Sequence, residues 1–148
     1  MQRILLPVIV FAAGAALGYS QLETIFPGTP AVAAAAHDDD AAIASAFEKR
    51  AHKIRVEGRG TVVKVLPDDN DGSRHQRFLV RLRSGLTVLI AHNIDLAPRI
   101  SSLRAGDAVS FSGEYEWNAK GGVIHWTHRD PHGRHPAGWI RRGGQSIQ

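Results

Sequence analysis

The chain has 148 residues, enough for one compact domain with an appendage but short for two separate cores. Eighteen Lys and Arg against fourteen Asp and Glu leave a net charge of +4, which admits anionic partners without the charge density of a DNA-wrapping protein. With no cysteine, disulfides, zinc-thiolate sites and thiol nucleophiles are all excluded, and stability rests on the core.

Residues 1–20, MQRILLPVIVFAAGAALGYS, join an early Arg to an apolar run from Ile4 to Leu17. This pattern reads as an export signal. The run is shorter than the roughly 20 apolar residues of a spanning helix, and Pro7 and Gly14 weaken it, so a cleaved signal is favoured over an inner-membrane anchor. The expected location is the periplasm or outside the cell, with membrane contact only through residues 1–20 if they stay attached. Residues 21–40 turn to Pro, Thr, Ala and a His-Asp-Asp-Asp run without an apolar period, and read as a linker. From 41 to 55, Ile43, Phe47 and Ala51 recur at helical spacing, which predicts one short helix with Asp40 as its cap.

Beyond Val56 the period changes to two. Thr61 to Leu66 is a β-branched run. Phe78, Val80 and Leu82 alternate with Leu79, Arg81 and Arg83, Leu86, Val88 and Ile90 alternate with Thr87, Leu89 and Ala91, and Ser84-Gly85 between the two runs predicts an antiparallel hairpin. Gly58 and Gly60 sit where the first strand needs a bend or bulge. NIDLAPRI (93–100) reads as a helical or turn segment limited by Pro98. In the fourth strand Val109, Phe111, Gly113, Tyr115 and Trp117 face inward, and Ser110, Ser112, Glu114 and Glu116 face outward. Asn118 to Gly122 turns into a fifth strand, Val123 to Thr127. Trp139-Ile140 then docks an otherwise loose end, with 141–148 as a tail.

Five short strands, a long first loop, a brief segment between strands three and four and a four-to-five hairpin give the order of a small oligonucleotide/oligosaccharide-binding barrel over 56–140. The expected class is therefore mainly β, an OB-like five-stranded barrel with one short N-terminal helix. An open β-sandwich or another small barrel is the competing architecture.

The stretches VLPDDNDGSRHQRF (65–78), AHNIDLAPR (91–99), GEYEWN (113–118), KGGVIHWTHRDP (120–131) and GRHPAGW (133–139) resemble a family of small bacterial proteins known as domain of unknown function 3465. The resemblance spans Gly58 to Trp139. It implies membership and assigns no activity, so no catalytic or binding residue follows from it.

Candidate chemistry concentrates between Gly113 and His135, which hold two of the three tryptophans and four of the eight histidines. His125, His128, His132 and His135 could supply imidazole ligands to a divalent transition metal and support a metal-dependent hydrolase or phosphodiesterase. In a continuous strand His125 and His128 would point to opposite faces, so convergence needs the strand to end near Thr127. Asp68, Asp69, Asp71 and Ser73 resemble a hard-cation loop, but Gly72 is misplaced for calcium and turn chemistry accounts for them. His75 and His92 with Asp69 or Glu116 could serve general acid–base catalysis. A binding module is the favoured reading: His75, Arg77, Arg81, Lys120 and Trp126 lie on elements that form the ligand face of such barrels, and suit a polar or anionic ligand such as a nucleotide, oligosaccharide or phosphate compound. Nucleic acid is possible and not favoured for an exported chain.

Overall fold

The structure is a computed structural model that describes residues 31–148. The export segment expected at 1–20 and the first half of the expected linker lie outside the described residues. Among the described residues no helix is long and apolar enough to cross a membrane.

Helix α1 spans Ala31–Glu48. It begins well before the expected position 41, because the alanine-rich start has the highest intrinsic helix propensity even without an apolar period. It also ends before the expected position 55. Arg50 adopts a left-handed φ of 52°. Ala51 N then donates to Ala46 O (2.9 Å) and Arg50 N to Phe47 O (3.1 Å), closing a Schellman turn with Arg in the place glycine usually takes. Asp40 is not a cap. It lies inside α1, where its Oδ2 accepts Arg83 N at 2.9 Å and ties the helix to the end of the second strand. Ile43, fully buried, and Ala46 fix α1 against the barrel.

The strands are β1 (His52–Val65), β2 (His75–Leu82), β3 (Thr87–Asn93), β4 (Ala108–Glu116), β5 (Val123–His125), β6 (Trp139–Arg142) and β7 (Gln145–Ile147). The order β1-β2-β3-β5-β4 closes because β4 also pairs with β1, giving a five-stranded OB-like barrel. Long β1 makes the closure. Its first part pairs with β4 and its last part with β2, and Gly60 and Thr61 pair with both. The register irregularities fall between His52 and Ile54, where Lys53 has φ 57°, and between Val62 and Lys64. They do not fall at the glycines. Gly58 and Gly60 permit close approach instead: a Cβ at Gly58 would lie 2.7 Å from Phe111 Cζ, and one at Gly60 would lie 2.3 Å from Arg81 O.

The core is the inward face expected of β2, β3 and β4, with Phe78, Val80, Val88, Ile90, Phe111 and Tyr115 at or near zero exposure. The segment after β3 is a turn, held by Asn93 Oδ1 accepting Asp95 N (2.9 Å) and Leu96 N (3.3 Å). The end of the chain is ordered rather than a loose tail. β6 pairs with β4, and Gly143-Gly144, both at positive φ, turn it into β7.

Candidate functional site

A cleft of about 350 Å³ opens on the outer wall of the barrel. Strand register builds it. His75 on β2 stands opposite Asn93 on β3, and His125 on β5 stands opposite Glu114 on β4. Directly opposed residues project to one face, so these side chains share the outer surface. The lining includes His75, Glu114, Glu116, His125, Trp126 and His128, and Leu96 adds an apolar side chain that is 45% exposed.

His125 and His128 meet there because β5 stops at His125. Trp126 takes φ 51°, which breaks the alternation that would have turned His128 to the opposite face. Thr127 and His128 are buried behind this step.

The imidazoles are held in defined orientations. His75 Nδ1 donates to Ser73 O at 2.7 Å, and His128 Nδ1 donates to Arg129 O at 2.7 Å, leaving Nε2 of each ring as the remaining polar atom. Burial holds the His125 pKa below the ordinary histidine value and neighbouring His75 adds to this, while Glu116 and Glu114 pull it back upward. Glu116 Oε2 accepts from His52 Nδ1 at 2.7 Å. His135 stacks on Trp126 with ring centroids 3.8 Å apart and planes 16° apart, and His128 sits tilted at 5.4 Å. The indole is thereby braced in the cleft wall.

The loop after Trp126 is organised by one carboxylate. Asp130 Oδ1 accepts His132 N at 2.9 Å, and Oδ2 accepts Arg134 N at 2.7 Å and His135 N at 3.0 Å. These bonds, led by that from His132, hold the Asp130 pKa below its ordinary value. The four terminal histidines consequently separate: His125 and His128 reach the cleft, His135 covers the indole, and His132 is exposed on the loop. Among the described residues no group of three His, Asp or Glu is placed to hold a metal ion.

Other expected groups do not gather at the cleft. Arg77 donates through Nε to Pro67 O (3.1 Å) and faces Asp69 at 3.8 Å. Arg81 is exposed on β2, and Lys120 is exposed in the β4–β5 turn, where its N–H donates to Asn118 Oδ1 at 2.8 Å. Asp68 pairs with Arg99, and Asp69 Oδ1 accepts Asp71 N at 3.2 Å, so the acidic loop is turn chemistry and ion pairing rather than a cation cage. His92 is fully buried behind the cleft. Its Nε2 donates to Pro98 O (3.2 Å) and its Nδ1 accepts from Thr127 Oγ1 (2.9 Å), leaving no ring nitrogen for acid–base work.

Glu114 and Leu96 are cleft residues that sequence reasoning did not select. Glu114 carried a usable signal, since it is an outward position of the clearest strand and lies in the four-to-five hairpin with His125. Leu96 carried none, because a turn fixed by the Asn93 side chain has no apolar period.

No curated protein matches the chain. The family model described as a protein of unknown function (DUF3465) matches residues 27–148, covering the helix, the barrel and the β6–β7 hairpin, and the chain belongs to that family.

Proposed function

We propose that the chain is a binding module that takes a hydroxyl-rich, oligosaccharide-class ligand in the cleft between His75, Glu114, His125, Trp126 and His128. The observation that carries this reading is the convergence of three imidazoles, two carboxylates and an indole in one concavity. Carboxylate oxygens and the Nε2 atoms of His75 and His128 accept from sugar hydroxyls, and Leu96, with the part of the indole that His135 leaves uncovered, offers apolar surface to the sugar ring. Two carboxylates in the wall disfavour an anionic ligand at this position. The export signal read at 1–20 would bring such a module to the polysaccharides of the cell envelope.

A metal-dependent hydrolase needs three ligands on one ion, and the terminal histidines are divided between cleft, indole and loop. The test is a titration of the protein with soluble β-1,4-linked N-acetylglucosamine oligomers, followed by the indole N–H resonance of Trp126. Saturable shifts are expected at Trp126, together with their loss in Trp126→Ala and Glu114→Gln. Unshifted spectra at millimolar oligomer, or equal binding by both variants, would reject the reading.

A further inference from the structure

A second concavity lies toward the other end of the same outer surface, and its chemistry is opposite. It is an open groove of about 540 Å³, and its lining includes Arg59, Arg83, Ser110, Arg141 and Arg142 with no Asp or Glu. The register accounts for the cluster. Arg59 on β1 stands opposite Ser110 on β4, and Ser110 stands opposite Arg141 on β6. All three project to one face, with two arginines flanking a small hydroxyl residue across two strand spacings, roughly 10 Å. Arg83 enters from the end of β2, beside the closure at Gly60. The Gly143-Gly144 turn completes the wall.

The ionic partners separate structural from available arginines. Arg142 is committed: its Nε pairs with Asp107 at 2.9 Å, and its terminal nitrogens donate to Ser101 O and Ser102 O at 2.7 and 3.0 Å. Among the described residues no carboxylate forms an ion pair with the guanidinium of Arg59, Arg83 or Arg141, the Asp40 carboxylate meeting Arg83 only through its backbone N–H. Arg141 lies over the Trp139 ring, 4.0 Å from its centroid, which orients the guanidinium while leaving its donor edge free. Glu57 shares the outer face of β1 but is not in the cleft lining.

We infer that this cleft is an oxyanion site, separate from the histidine-lined cleft, and that it takes a small ligand carrying two or more phosphate groups between Arg59, Arg83 and Arg141. Guanidinium forks match phosphate oxygens in pairs, and three of them around one concavity exceed what a single small anion needs. The Ser110 hydroxyl on the floor adds a neutral donor between them. The volume falls in the range of small-molecule sites. The β6–β7 hairpin has a role in this assignment, since it supplies Arg141 and the glycine wall to an otherwise open barrel surface.

The experiment is calorimetric titration of the full chain with inorganic triphosphate at low and at physiological salt. Saturable binding that weakens with salt is expected, and the double variant Arg59→Ala/Arg141→Ala should bind at least about tenfold more weakly. Ser110→Glu, which places a carboxylate on the cleft floor, should lose binding while the far-ultraviolet circular dichroism stays that of the parent. Arg129→Ala/Arg134→Ala removes the same charge from a distant exposed loop and should leave the affinity unchanged. Absence of binding by the parent chain overturns the site. So does an equal loss in the Arg129/Arg134 variant, which would mean attraction by net charge alone. Inorganic phosphate in place of triphosphate distinguishes the requirement for more than one anionic group: comparable affinity for the two would also overturn the inference as stated.

Discussion

The Thr127 hydroxyl donates to His92 Nδ1 across 2.9 Å, joining the end of β3 to the segment that leaves β5 beneath the histidine-lined cleft. The ring is fully buried, and burial, with smaller contributions from His128 and His75, lowers its pKa to about 4 against the donation to Pro98 O that raises it. The folded state thus favours neutral His92. This stabilisation is complete above the unfolded value of 6.5 and is lost as the pH falls from 6.5 toward 4. The loss amounts to about 2 kcal/mol at pH 5 and roughly 3 kcal/mol at the acid limit. His125 is displaced in the same direction and adds to the same window. Melting curves at pH 7 and pH 5 should show His92→Gln, which can keep both hydrogen bonds, losing less stability on acidification than the parent. Identical losses would show that His92 does not carry the acid response.

Gln76 gives a second expectation. Its side chain makes a two-way bridge to one peptide group, with Nε2 donating to Ile100 O at 3.1 Å and Oε1 accepting Ile100 N at 2.9 Å, all of it buried. The bridge pins the long β3–β4 connection to β2 in place of a helix. Gln76→Leu keeps the volume but strands a buried N–H and C=O together, a loss of about 2–4 kcal/mol. Chemical denaturation should find it, with faster amide exchange confined first to residues 94–104. A loss under about 1 kcal/mol would mean that solvent reaches Ile100.

Asp130 controls where the terminal histidines go. Replacing it with Ala removes acceptors for three backbone N–H groups at once, and the loop should release His135 from the indole. The readout is the His135 ring resonance, which the stacked Trp126 shifts upfield in the parent and which should move toward its free position in Asp130→Ala. The cleft residues His75 and His125, carried by strands, should keep their parent resonances. Movement of all three together would indicate that the loop and the barrel wall form one unit.

The legible parts of this molecule are those in which one face of a strand is buried. β2, β3 and β4 announce themselves by alternation, and Ser84-Gly85 announces the first hairpin through a residue that tolerates φ 89°. The first half of β1 does not, because its inward positions include Gly58, chosen for contact with Phe111 rather than for hydrophobicity. The early end of β5 depends on Trp126 at positive φ, a conformation with no sequence signature outside Gly, Asn and Asp. The sequence therefore joins His125 to His128 only on condition that the strand stops, and it does not disclose the arginine cleft, because Arg59, Arg83 and Arg141 become neighbours only through β1–β4–β6 pairing. The β6–β7 hairpin was readable in principle, since Gly143-Gly144 between Trp139-Ile140 and Ile147 is a two-residue turn signal.

Gly138 links that hairpin to the histidine-lined cleft and gives the sharpest steric expectation. Its N–H donates to His128 O at 2.9 Å, and it passes so close to Trp126 that an added Cβ would lie 1.8 Å from Trp126 O and 2.7 Å from Ser112 O. Both obstacles are backbone, one of them belonging to β4 at the centre of the wall, so neither can yield as a side-chain tip would. Gly138→Ala should be destabilising by about 3 kcal/mol. It should also push the Trp126–His128 segment out of the cleft, abolishing the oligomer-induced shift at Trp126. Gly133→Ala is the comparison. That residue has φ 64° but open space around it, so a Cβ meets only the strain of a left-handed conformation, about 1–2 kcal/mol, and the cleft should remain intact. Equal behaviour of the two variants would mean that backbone conformation in the loop, rather than contact with Trp126, sets the shape of the cleft.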